Sequence, residues 1–135
     1  LPILMQEKSL THVFNAGAKR MDKVNAHLLV LHEVLERWDR RGLLDLCPGE
    51  LVTWFLDLVV FDLARLDAEG YAVVASRVKD EFAGHLEQDW TSLPAKGAVR
   101  HVAHKLAKGS MISIVDAAQL YLATRGLKAC IERFA

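Results

Sequence analysis

Three features of the sequence predict an all-α fold. Met21, Val24, Leu28, Leu31, Leu35 and Trp38 recur at alternating steps of three and four, the seam of an amphipathic helix. The stretch 48–66, PGELVTWFLDLVVFDLARL, is apolar almost all the way round when wound on a helix, so neighbours must cover it on most sides. No strand-like alternation, Gly/Ser linker or low-complexity tract interrupts the chain. The expectation is about six helices packed as antiparallel hairpins, either a helical-repeat-like bundle or a short solenoid.

The totals set bounds on this reading. A chain of 135 residues makes one domain and buries roughly 68% of its unfolded surface. Hydrophobic residues are 52% and charged residues 25%, a globular composition. The 17 basic and 17 acidic residues cancel, which argues against a dominant electrostatic pull toward nucleic acid or anionic membrane while leaving room for a local basic face. Two cysteines, Cys47 and Cys130, lack metal spacing and read as reduced thiols in an intracellular setting, with one long-range disulfide as the alternative. The chain begins at Leu1, not Met, so it is read as processed, truncated or part of something longer, and LPILM is too short for a signal-peptide core. The 48–66 helix is long enough to span a bilayer, but Asp57 and Asp62 within it favour a buried soluble helix and no membrane span.

In chain order, residues 1–8 form a lead-in, and 9–135 a single helical domain. Ser9 is an N-cap candidate for a first helix bearing Leu10, Val13 and Phe14, which Gly17 weakens. The 21–41 helix carries Glu33–Arg37 and Glu36–Arg40 in the favourable i,i+4 order and stops at Gly42. Pro48 and Glu50 suit the first turn of the central helix, and Asp67 caps a successor over 68–88 with Tyr71, Val74, Ala75, Val78, Phe82 and Leu86 inward. So short a joint favours an antiparallel hairpin. DWTSLP is a break. A helix over 95–107 turns Val99, Val102, Ala103 and Leu106 inward. Another over 111–125 has Ile112, Val115, Ala118 and Leu122 as its inner face; Gly126 closes it, and LKACIERFA begins one more.

Three stretches are alike: SLTHVFNAGAKRMD from Ser9, ELVTWFLDLVVFDLARLD from Glu50 and SIVDAAQLYLATRGLK from Ser113. Cys47-Pro48-Gly49-Glu50-Leu51-Val52 and the run Val115-Asp116-Ala117-Ala118-Gln119-Leu120-Tyr121-Leu122-Ala123 resemble the units of organellar helical-repeat proteins, the FAST-kinase-like, RAP-associated, heptatricopeptide and octotricopeptide group. The likeness spans roughly 9–126 and its motifs are degenerate. The resemblance implies a mitochondrial or other organellar setting in RNA metabolism or ribosome-associated scaffolding. The neutral net charge and the absence of a visible RAP-like domain depart from that pattern.

Chemistry-bearing groups are sparse. Lys96, Arg100, His101, His104, Lys105 and Lys108 make a basic stripe on one helix, the best candidate for RNA or partner contact because phosphates need only donors at suitable spacing; a solvated outer face is the plainer reading. His101, His104 and His85 are the candidates for a transition-metal or haem site, although the Glu-x-x-His pairs of di-metal bundles are absent. Asp57 and Asp62, five apart, do not share a helix face; Asp57 is read as bonded to Thr53 or a neighbouring helix and Asp62 as paired with Arg65. Cys47 precedes a helix N-terminus, where a dipole lowers a thiol pKa, but a packed residue or tolerated cap is the simpler reading. Trp54 and Trp90 are read as core aromatics, with partner anchors as the alternative. No phosphate loop, nucleophile elbow or zinc-finger spacing occurs.

The functional expectation is a non-enzymatic helical scaffold without a cofactor, binding protein partners in a larger assembly, with RNA contact open. A small effector that binds one partner, and a metal- or ligand-binding bundle, are the alternatives.

Overall fold

The computed structural model describes the backbone of residues 2–134 and the side chains of residues 19–125. Over that range it is helical, with no strand: α1 (Pro2–Arg40), α2 (Pro48–Arg65), α3 (Ala68–His85), α4 (Gly97–Lys108) and α5 (Ile114–Phe134), plus a 3-10 turn at Trp90–Ser92. Five helices replace the expected six. Helix α1 runs through the predicted lead-in and past Gly17, and α5 runs through Gly126. A single interior glycine costs about 1 kcal/mol relative to alanine, less than ending a helix and leaving its terminal carbonyls and N–H groups without partners. The side chains at the proposed Ser9 cap, and those of Cys130 and the residues beyond it, lie outside the described set.

The interior boundaries follow local chemistry. Gly42 (φ +68°) ends α1 and Gly109 (φ +74°) ends α4, both left-handed. At the first, Leu43 N–H donates to the Trp38 carbonyl and Gly42 N–H to that of Asp39. At the second, Ser110 N–H donates to Lys105 and Gly109 N–H to Leu106. Both are Schellman closures. Asp67 caps α3 as predicted, its Oδ1 accepting from Gly70 N–H at 2.7 Å; that helix stops at His85 rather than 88. The DWTSLP break is the 3-10 turn, where Asp89 accepts from the backbone and hydroxyl of Thr91, bonds that pull its pKa down.

The closest packings close a ring in the order α1, α2, α5, α4, α3 and back to α1, with α2 also meeting α4. Cross-helix pairs give the directions. Arg77 bonds Asn25, Glu81 bonds His32, and His85 bonds Glu36, so α1 and α3 run parallel. Lys23 meets Asp62, and Arg20 reaches the Arg65 carbonyl, so α1 and α2 are antiparallel. Asp57 with Thr124 and Phe61 with Tyr121 make α2 and α5 antiparallel.

The core is continuous. Val24, Leu28, Leu31 and Leu35 of the predicted seam, and Leu51, Val52, Phe55, Leu56, Val59, Val60 and Leu63 of α2, are fully or almost fully buried. Phe55 of α2 meets Phe82 of α3 edge-on at 5.9 Å, and Phe82 stacks on Trp90 at 5.0 Å. This aromatic column fastens the break to the core, and Trp90 is the interior aromatic the sequence predicts. Among the described residues no helix is long and apolar enough to cross a membrane.

Candidate functional site

The rotational setting of α5 determines which of its residues meet solvent. Ser113 and Asp116 form a reciprocal capping box: Asp116 N–H donates to Ser113 Oγ at 3.0 Å, and Ser113 N–H donates to Asp116 Oδ2 at 3.0 Å. Lys105 Nζ donates to Asp116 Oδ2 at 2.6 Å, and His101 Nε2 lies 3.0 Å from Oδ1. Burial raises the Asp116 pKa, but the bonds from Lys105, Ser113 and His101 outweigh it and hold the carboxyl well below the ordinary range. Tyr71 closes the same corner from α3, donating to the Ser110 carbonyl at 2.6 Å; burial, helped by the Asp116 charge, pushes its pKa up to about 12.

With Asp116 held against α4, the inner face of α5 is Ala117, Leu120 and Thr124, all buried. This corrects the predicted register. Ile112 is buried as expected, but Val115 and Leu122 are both 64% exposed and Ala118 is only partly buried. Small residues at the seam let α5 approach α2, where Thr124 Oγ1 donates to Asp57 Oδ1 at 2.8 Å. That bond resolves Asp57 as a pin between helices; Thr53 instead donates to the Gly49 carbonyl. Asp62 is turned toward α1, 3.2 Å from Lys23 Nζ and 3.9 Å from Arg20 Nε, not paired with Arg65.

This register produces an exposed apolar face. On α5 it comprises Ile114, Val115, Tyr121 and Leu122, and it crosses to α2 where Tyr121 meets Phe61 at 6.1 Å. It continues there with Leu58, 39% exposed, and Trp54, 41% exposed, which corrects the reading of Trp54 as core. Contiguous apolar surface on two adjacent helices marks an interaction site more often than scattered exposed residues do. Sequence reasoning missed it because the three-four pattern of Val115, Ala118 and Leu122 imitates a core seam. The Ser113-x-x-Asp116 capping signature was the available signal for the true register.

The predicted basic stripe is divided. His101 and Lys105 are engaged by Asp116, and Arg100 Nε donates to the Pro94 carbonyl at 2.6 Å. Lys96 sits at the N-cap of α4, and Lys108 in its last turn. His104 is exposed and close enough to Asp89 to lower that carboxyl's pKa.

A second cluster comprises His32 and Glu36 on α1 and Glu81 and His85 on α3. The structure joins them across α1 and α3. His32 Nδ1 lies 2.9 Å from Glu81 Oε2, and His85 Nε2 lies 3.2 Å from Glu36 Oε1; His85 Nδ1 lies 3.0 Å from the Glu81 carbonyl. Desolvation depresses the His85 pKa, but the Glu81 carbonyl and the Glu36 carboxylate more than reverse this, so it ends raised. Glu36 is correspondingly lowered, first by its bond with His85. Its carboxylate faces His85, and Arg40 reaches only its backbone carbonyl; the Glu33–Arg37 pair forms as predicted, at 3.8 Å.

His85 thus belongs to the α1–α3 contact and His101 to Asp116, so the candidate metal residues His85, His101 and His104 are not brought together. Among the described residues no group of three or more His, Cys, Asp or Glu could hold a metal ion. Cys47 is a free thiol at the N-cap of α2, with no side-chain capping bond. Comparison with known proteins returns no matching family, no matching curated protein and no matching solved structure.

Proposed function

We propose that this chain is a non-enzymatic helical interaction module that docks protein through the α2–α5 face. The observation that supports this reading is the continuous exposed apolar surface from Trp54 and Leu58 to Tyr121, Leu122 and Val115. The chemistry-bearing groups point the same way, because Asp57, Asp62 and Asp116 are each committed to holding helices together. The placement in an organellar ribosome or RNA-processing assembly rests on the helical-repeat resemblance alone. A solenoid would stack each unit only on its neighbours, whereas α2 packs on α5, three helices later. A closed bundle is therefore the form carried forward. Direct RNA contact has weaker support, since half of the basic stripe is engaged internally.

The test is a tagged full chain expressed in its native source, with co-purified proteins compared between wild type and a Val115→Glu, Leu122→Glu double variant. Loss of the same partners, with the helical spectrum and melting temperature retained, is the expected result. Unchanged partners would overturn the assignment of this face. Binding to RNA that weakens steeply with salt and with Lys96→Glu and Lys108→Glu would favour the RNA reading instead.

A further inference from the structure

We infer that the α2 part of this face is a self-association surface, occupied by α2 of a second copy of the chain lying antiparallel. The inference rests on the docking role proposed above and names the occupant. The exposed residues of α2 are Glu50, Trp54, Leu58 and Arg65, with Phe61 partly exposed among them. At 100° per residue all five fall on one narrow strip, about 22 Å from first to last.

That strip is its own complement when reversed. A two-fold axis beside Leu58 sets Glu50 opposite Arg65 of the second copy, Trp54 opposite its Phe61, and Leu58 against its Leu58. The contact is isologous, so each pairing occurs twice. Among the described residues, neither the Glu50 carboxylate nor the Arg65 guanidinium has a hydrogen-bond or ion-pair partner; Arg65 contributes its backbone carbonyl to Arg20. Both charges sit at the ends of the strip and its apolar residues in the middle, the rim-and-core order of a protein interface.

The borders of the strip do not oppose this arrangement. Asp62 on the α1 side is neutralised by Lys23 and Arg20, and Asp57 on the α5 side accepts from Thr124. No acidic group is therefore buried without a partner, which would be costly. The axis runs across α2 within the contact plane, so α5 faces α5 of the second copy. A formal net charge of zero adds no long-range repulsion between copies.

The test is sedimentation velocity on the full chain from about 1 to 100 µM, a span that separates stable from weak association. Wild type is expected to dimerise. Glu50→Arg and Arg65→Glu each place like charges opposite one another twice per dimer and should weaken association at least ~10-fold. Combining them should restore it to within ~3-fold of wild type, and Leu58→Arg on the axis should abolish it. Circular dichroism confirms folding of each variant; Arg65→Glu reads the same pair if Glu50→Arg unsettles the first turn of α2. A wild type that is monomeric at the top of the range overturns the inference, as does a dimer that the reversed pair fails to rescue. If that monomer still holds partners that Val115→Glu and Leu122→Glu release, the docking role survives and only self-association falls. If it holds none, both fall.

Discussion

Asp116→Ala removes one carboxylate that performs three tasks: it completes the capping box of α5, accepts from Lys105 and accepts from His101. Loss of a helix cap costs about 1 kcal/mol. The charge-assisted bond from Lys105 adds about 1.5–3 kcal/mol when its acceptor is as buried as Asp116, at 7% exposed. Lys105 and His101 are themselves open enough to recover water, so the upper end is discounted and the expected loss is about 2–3 kcal/mol. For a chain of this length that lowers the melting temperature by roughly 7–11 °C.

The assay is urea and thermal unfolding of wild type and variant at pH 7, with Lys105→Met completing a double-mutant cycle whose coupling should be about 1 kcal/mol. The folded-state pKa of Asp116 lies below its unfolded value. Its contribution is therefore whole above about pH 4 and drains away as pH falls through the folded pKa. The gap between wild type and Asp116→Ala should narrow on acidification from pH 5 toward 2.5. A loss under about 0.5 kcal/mol, or a gap that holds its size in acid, would refute the view that Asp116 sets the register of α5.

Two glycines separate packing from propensity. A methyl group at Gly49 would press on the Leu93 carbonyl oxygen, so Gly49→Ala should destabilise by about 1–3 kcal/mol, whereas Gly84 has nothing near its Cβ direction and Gly84→Ala should stabilise α3 by about 0.5–1 kcal/mol; chemical denaturation reads both. His85 has a folded pKa above its unfolded value, so its contribution is complete below about pH 6.5 and is lost as pH rises through the folded pKa. The melting-temperature difference between wild type and His85→Gln should shrink from pH 6 to pH 8, and a difference that grows instead would contradict the pairing with Glu36.

Local signals were legible where they came in reinforcing sets. The Met21–Trp38 seam, the all-round apolar 48–66 stretch, Asp67 as cap and Gly42 as stop each combine periodicity or backbone chemistry with a boundary residue, and each is found in place. Single glycines misled, because Gly17 and Gly126 interrupt propensity without ending a helix. The candidate face was illegible for a different reason. An apolar stripe has the same spacing whether it faces a core or a partner, so Val115 and Leu122 read as interior when they are exposed. The basic stripe was legible only as a shared helix face, since sequence shows that Lys105 and His101 lie with Lys108 but not that an aspartate eleven residues downstream of Lys105 meets the first two.

By itself the sequence determined the helical class, the apolar character of α2 and the helix ends at Gly42, Pro48 and Asp67, because these depend on hydrogen bonds and apolar spacing within a few turns. Only the tertiary structure decided which side of α5 faces inward, that α1 and α3 run parallel, and that Asp57 binds Thr124 sixty-seven residues away. Those outcomes turn on contacts between segments distant in the chain. The spacing of Val115, Ala118 and Leu122 is the same whether they face a core or solvent, so the side that turns inward is settled by the pairing of Asp116 with α4 together with the packing of Ala117, Leu120 and Thr124.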